Sequence, residues 1–437
     1  MTDLLAARTL MAVTLGFHIV LACLGVGMPV LLLVAEGLAI RNNDAGGRAL
    51  ARRWSKAFAV IFAVGAVSGT VLSFELGLLW PGFMARYGAV IGLPFTFEGF
   101  AFFIEAIFVG IYLYGWDRLS PWAHWWCGVP VAVSGAASAW FVVTVNAWMN
   151  VPTGFREVDG RVVDVDPFGA MLGPATGVQT THMILAAYIV TGFLVASVYA
   201  GILLAGRGGA YHRRAMALGL VLGAVLVPVQ LFSGDRAAKV VAATQPVKLA
   251  AMEGQFRTQT HAPLRIGGLP DEATETTPGA IEIPGALSWL AYGDAGARVA
   301  GLDSVPRDLR PPVAIVHVAF QLMLAAGGAL LALAAWAAVR HVLRRPLAGS
   351  RWFLRAAVVA GPASIVAMEA GWVVTEVGRQ PWIVQGVMRT RDAVTSSHGV
   401  VWVLLTTLGI YAILVVSTVS VLRNLARRPL PEDARGA

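Results

Sequence analysis

Charge is what this chain has least of. Of its 437 residues only 13% are Asp, Glu, Lys or Arg, against 57% hydrophobic. A soluble domain ordinarily carries about twice that charged fraction, so a water-soluble class is excluded. Cysteine is nearly missing: Cys23 and Cys127 lie in or beside apolar runs, which excludes a disulfide framework or a cysteine metal site. Strand alternation is missing too, which leaves a helical bundle rather than a barrel.

What is present is long apolar runs. Nine can be marked, near residues 9–37, 56–79, 94–115, 127–148, 180–205, 213–232, 313–339, 353–377 and 396–422. Each approaches or exceeds the ~20 residues a helix needs to cross the hydrocarbon core. The first is too long for a signal-peptide core, and its basic cluster follows rather than precedes it, so it reads as a retained helix. The expected fold is all-α, a polytopic bundle of nine transmembrane helices.

The net charge of +8 does not point to nucleic acid once the charges are placed. Arg41, Arg48, Arg52, Arg53 and Lys56 follow the first run, and Arg207, Arg213 and Arg214 lie between the fifth and sixth. Arg340, Arg344, Arg345 and Arg351 link the seventh and eighth, and Arg423, Arg427, Arg428 and Arg435 form the tail. The positive-inside rule puts these segments in the cytoplasm, with the N-terminus outside and the C-terminus inside. The chain then divides into residues 1–232 (six helices), 233–311 (a long outer loop) and 312–437 (three helices and a tail). A structureless loop of that length is uncommon. With "IPGALSWLAYG" inside it, the loop is expected to fold over the outer surface. No internal repeat is convincing, and the odd helix count disfavours a duplicated transporter.

Ionisable groups inside membrane helices cost at least ~2.5 kcal/mol near a helix centre, so each needs a reason. "FEGFAFFIEAIFVG" holds Glu98 and Glu105, and "MEAGWVVTEVG" holds Glu369 and Glu376. Both pairs are spaced i, i+7, on one helix face and about 10 Å apart along the axis. From the topology, Glu98 and Glu376 are expected to be shallow, with Glu105 and Glu369 one step deeper. Such ladders suit a short proton path or a cofactor shell. His18, His182 and Met323 enter their helices from the same side. A lone histidine is ordinarily a hydrogen-bonded core residue and methionine ordinarily filler, but His and Met at matching depth also suit an electron-transfer haem. His317 and His398 are placed in helices with packing or supporting roles. His124, His212, His261 and His341 fall in loops or at helix ends and are given no function.

"EGFAFFIEAIFVGIYLYGWDRL", "NAWMNVPTGF", "QPVKLAAMEGQF" and "GWVVTE" followed by "GRQPW" together resemble subunit I of cytochrome bd-type quinol oxidases. The similarity runs from the first helix to the ninth. It implies that His182 and Met323 ligate a low-spin haem b, and that His18 and Glu376 ligate two high-spin haems, one b and one d or a further b. It implies Glu98 beside the oxygen-reducing haem, Glu105 as its partner on the proton route, and Arg379 against haem propionates or the Glu376 carboxylate. Trp372 would pack on a macrocycle, and Lys248 with Glu253 would bind quinol in the long loop. The expected partners are a second large subunit, small single-helix subunits, quinol, oxygen and the lipid of a bacterial cytoplasmic membrane. Quinol would be oxidised outside and oxygen reduced to water with cytoplasmic protons, without a pump. Two departures stand out. Gln321 replaces an arginine common in the family, and "SFELGLLWPGF", with Glu75, matches the cyanide-insensitive branch; the loop is of the short kind. Two other classes stay open on the residues alone: a proton-coupled transporter, and a membrane cytochrome that only relays electrons.

Overall fold

The computed structural model describes residues 3–427; Arg428 and Arg435 lie outside the described residues. Among these, nine helices are long and apolar enough to cross a membrane: α1 (Asp3–Arg41), α2 (Ala45–Leu79), α3 (Pro81–Gly115), α4 (Pro121–Asn150), α5 (Thr176–Leu204), α6 (Ala210–Thr244), α7 (Val313–Val342), α8 (Arg351–Val377) and α9 (Val400–Arg427). Every apolar run seen in the sequence is one of these helices. Their ends differ, because hydropathy marks the lipid-crossing part and backbone hydrogen bonding continues past it. α6 continues to Thr244 through Asp235 and Lys239, which pair at i, i+4 (2.7 Å). The long loop therefore starts at Gln245 rather than at 233. His398 precedes α9, with its side chain 97% exposed, and is not a helical residue.

The helices form two rings of four. α1 packs on α2 and α4, and α3 on α2 and α4; α5 packs on α6 and α8, and α7 on α6 and α8. α1 and α4 both meet α5, which joins the rings, while α9 lies against α1 and α2. The join is close. A Cβ at Gly27 of α1 would sit 2.2 Å from Thr191 Oγ1 of α5, and that hydroxyl donates to the Cys23 carbonyl at 2.9 Å. Within the second ring, a Cβ at Gly192 would lie 2.6 Å from the Gly223 backbone nitrogen. Backbone cannot yield there as a flexible side chain could.

The long loop is folded, as its apolar content suggested. It opens with a helix (Pro246–Met252), then pairs Gln259–Thr260 with Arg298–Val299 and Leu264–Ile266 with Ile281–Ile283, both antiparallel. α7 holds it down. His317, fully buried, sets its ring nitrogens 2.8 and 3.0 Å from the carbonyls of Met252 and Gly267. One turn on, Gln321 accepts from the Gly267 nitrogen and donates to the Arg265 carbonyl, both at 3.0 Å. Gln321 thus clamps loop backbone. A bulkier residue at Gly192 tests the ring packing: Gly192→Val should cost about 1–3 kcal/mol through overpacking, read as a lower melting temperature in detergent. Gly110→Ala, where a Cβ meets nothing within 4 Å, should leave it unchanged.

Candidate functional site

α4 serves as a depth ruler for the intramembrane groups. Near its long-loop end Asn146 donates from Nδ2 to Glu376 Oε1, the last carboxylate of α8. Eight residues deeper, Ser138 donates to Glu98 Oε1 of α3 at 3.2 Å. A Cβ at Gly135 would come within 3.0 Å of Glu105 Oε1. Glu98 is therefore about 12 Å deeper than Glu376 along the α4 axis, not level with it as expected. The reason is that α3 begins at Pro81 rather than near 94. Glu369 points elsewhere: its Oε2 lies 3.5 Å from where a Cβ on Gly16 of α1 would be.

Glu376 anchors a polar thread. Arg379, 2% exposed, donates to its Oε2 at 2.6 Å. Asn150 Nδ2 donates to the Asn146 carbonyl at 2.9 Å, and Lys248 Nζ donates to Asn150 Oδ1 and to the Thr375 carbonyl (3.3 Å). So the first helix of the long loop is tied to Glu376 through two asparagines. α8 ends at Val377 because Gly378 caps it and Pro381 cannot continue a helix. Lys248 is 5% exposed, and burial pushes its ammonium down to about 7, helped by the nearby Arg379 and opposed by Glu376. Glu253, 4% exposed, is pushed by burial up to about 8, with Arg265 pulling the other way. Its Oε2 has no hydrogen-bond partner.

The other candidates face neighbouring helices. His18 places Nδ1 3.0 Å from Ser68 Oγ, and its ring lies so close to α2 that a Cβ at Gly69 would meet Cε1 at 2.9 Å. His182 of α5 meets Gln230 of α6: the amide nitrogen lies 3.1 Å from both Nε2 and the His182 carbonyl, and Nδ1 is buried without a partner. Met323 of α7 faces α8, with Sδ 3.2 Å from where a Gly371 Cβ would be. It packs in a cluster with Val247 and Ala250 of the long-loop helix. Trp372 packs at the α1–α5–α8 junction with its Nε1 buried and unpaired. The structure thus joins Glu376 to Arg379 directly and to Lys248 through Asn146 and Asn150. It sets His182 and Met323 on two helices that both pack against α6 and α8.

Sequence reasoning passed over several polar residues. Asn146 and Asn150 stand inside the quoted "NAWMNVPTGF" but were given no role. Glu75, 6% exposed, accepts from Thr14 at 2.8 Å, with Oε2 unpaired. Glu36 and His124 form a buried pair at the opposite end. A carboxylate inside the first apolar run was the signal for Glu36.

A bundle with nine candidate spans among the described residues, with imidazole, thioether, carboxylate and guanidinium groups set between its helices, defines a polytopic integral membrane protein. More particularly, the chain belongs to the family described as cytochrome bd terminal oxidase subunit I, whose model matches residues 6–430. It is 38% identical to the putative cytochrome bd menaquinol oxidase subunit I of Bacillus subtilis (strain 168), over 100% of each chain. It is 27% identical to the cytochrome bd-II ubiquinol oxidase subunit 1 of Escherichia coli (strain K12), over 96% of each. Among solved structures it resembles that of bd oxidase from Geobacillus thermodenitrificans, with a TM-score of 0.92, 40% identity and 98% of each chain covered.

The thread makes its own prediction. Asn150→Leu strips the buried Lys248 ammonium of its side-chain acceptor, leaving only the Thr375 carbonyl, and should destabilise the protein by about 1–3 kcal/mol. Lys248→Met added to Asn150→Leu should recover part of that loss in a thermal melt.

Proposed function

We propose that this chain is the haem-bearing subunit of a quinol:oxygen oxidoreductase that oxidises quinol at the long-loop face and reduces oxygen to water with protons from the arginine-rich face. The curated relatives are named for menaquinol and for ubiquinol, so quinol is the shared substrate class. The observation that carries the proposal is a set of buried polar atoms that no protein group satisfies: His182 Nδ1, Trp372 Nε1, and Nε and Nη1 of Arg379. Buried polar atoms are almost always paired. An iron porphyrin would fit these atoms: the free His182 nitrogen could serve the metal, and the N–H groups of Trp372 and Arg379 could serve its propionates.

His182 and Met323 would hold a low-spin haem b; His18 and Glu376 would each hold a high-spin haem, one b and one d or a further b. When bound, these haems supply the electron relay and the iron at which oxygen is reduced. The protein's own work is positional. Asn146 and Arg379 fix both oxygens of Glu376, and Ser68 fixes the His18 ring, leaving Nε2 for iron. Arg379 has further N–H groups to offer a propionate. Glu105 and then Glu98, bonded to Ser138, would deliver protons.

The long loop, read from the sequence as residues 233–311 and starting at Gln245 in the fold, would be the quinol-binding segment. Glu253 would accept a hydroxyl proton from quinol, with Lys248 beside it. The two flanking parts, 1–232 and 312–437, would serve as scaffold. A second oxidase subunit, with or without small single-helix subunits, would cover lipid-facing helices, in a bacterial cytoplasmic membrane with the N-terminus outside. Neither a transporter nor a pure electron relay is favoured by a family match over nearly the whole chain.

A reduced-minus-oxidised spectrum of the purified enzyme with and without carbon monoxide tests this. Haem bands that shift under carbon monoxide are expected. Unshifted bands would indicate a relay, and absent bands a transporter. The carboxyl of Glu253 adds a pH test. As a base it must be ionised, so quinol oxidation should rise as pH climbs through about 8. Glu253→Gln should flatten that rise while leaving the haem bands in place.

A further inference from the structure

A second polar cluster is buried at the arginine-rich end, far from Glu376 along α4. Glu36 of α1 and His124 of α4 are each 2% exposed. His124 Nδ1 lies 2.6 Å from Glu36 Oε1, and the Tyr112 hydroxyl of α3 donates to Glu36 Oε2 at 2.6 Å. His124 Nε2 lies 2.8 Å from the Tyr112 carbonyl. Both atoms facing the ring are acceptors, so the ring can donate from each nitrogen. Few other charges reach this cluster. Arg48 of α2 donates to the Trp116 carbonyl at 3.3 Å, the Trp116 ring packs tilted against His124 with centroids 4.2 Å apart, and Arg52 pairs with Asp117 at the mouth.

Tyr112 is also the third member of a stripe. Glu98, Glu105 and Tyr112 are spaced by seven residues, so they share one face of α3 at steps of about 10 Å. α4 runs antiparallel to it and meets that face with His124, Gly128, Gly135 and Ser138. Ser138 bonds Glu98, a Gly135 Cβ would touch Glu105, and a Gly128 Cβ would come within 3.1 Å of the Tyr112 ring. The two glycines let side chains pack hard against α4: Leu33 (2.9 Å) and the Tyr112 ring fill the place of a Gly128 Cβ, and Glu105 that of a Gly135 Cβ. A small apolar cavity lies beside the Tyr112 ring, lined by Leu32, Phe58, Tyr112, Gly128 and Val131.

We propose that Glu36, His124 and Tyr112 form the proton-loading site of the oxidase, passing protons up the α3–α4 groove to Glu105 and then Glu98. It rests on Glu105 and Glu98 being the relay. In each transfer His124 Nδ1 gives its proton to Glu36 Oε1, Glu36 releases a proton towards Glu105, and His124 is reprotonated from cytoplasmic water. Only N–H and O–H bonds form and break. Tyr112 is a positioning residue that aims the carboxylate. A cluster that merely pinned α1, α3 and α4 together would not affect proton supply.

The test uses the assembled two-subunit enzyme, comparing Glu36→Gln, Tyr112→Phe and Glu105→Gln with wild type. Glu36→Gln and Tyr112→Phe should keep the haem spectrum and the KM for quinol. They should lose turnover on the order of tenfold or more, with a raised solvent isotope effect and a steeper fall as pH rises. Glu36→Asp should recover activity. If Glu36→Gln fails to assemble, Tyr112→Phe, which removes one hydroxyl, decides by the same readouts. Wild-type turnover and isotope effect in both variants, with Glu105→Gln slow, would overturn the loading site and leave the relay standing. If Glu105→Gln is also unimpaired, the relay fails and takes the loading site with it.

Discussion

The structure depends on the cost of keeping ionisable groups where water cannot solvate them. Each intramembrane carboxylate here must be held by a neighbour or serve a bound group, because an unpaired one is expensive. Glu376 is held by Asn146 and Arg379, Glu98 by Ser138, Glu75 by Thr14, and Glu36 by His124 and Tyr112. The partners of Glu98, Glu376 and Glu36 all come from α4 or lie next to it. That helix is the spine on which both ends of the chemistry hang. The surplus of donors around Glu376 then separates that end from the arginine-rich one, where the ring nitrogens of His124 and the carboxylate oxygens of Glu36 are all matched.

The two rings make this arrangement possible. Joining them at Gly27 and Thr191 brings α1 into contact with helices of both. α1 can therefore present His18 to α2, Gly16 to Glu369 and Glu36 to α4 at different depths. Clamping the long loop with His317 and Gln321 carries the same logic outside the bilayer. Lys248 is pressed down until its ammonium reaches Asn150, so the loop and the helix end at Glu376 are one mechanical unit.

Much of this was legible in the residues. The nine spans follow from apolar length, and from spacing the shared α4-facing side of Glu98 and Glu105, whereas Glu369 faces α1 and Glu376 faces α4. The resemblance to bd-type oxidases, carried by motifs such as "GRQPW", agrees with the family match. Depth was less legible: Glu98 was set shallow because the α3 start through Pro81 carries too little hydropathy to register as a span. The α6 extension past residue 232 was hidden for the same reason. Contacts between distant segments could not be read at all, since nothing in the sequence says that Lys248 meets Asn150, or that His124 at a helix start is buried against Glu36.

The central claim is that side chains from separate spans converge on iron. It is tested most directly by replacing one proposed ligand on each of two helices and recording low-temperature reduced-minus-oxidised spectra. His182→Ala and Met323→Leu should each delete or alter the same low-spin band and leave the others. Loss of different bands, or no change in either variant, would contradict the account.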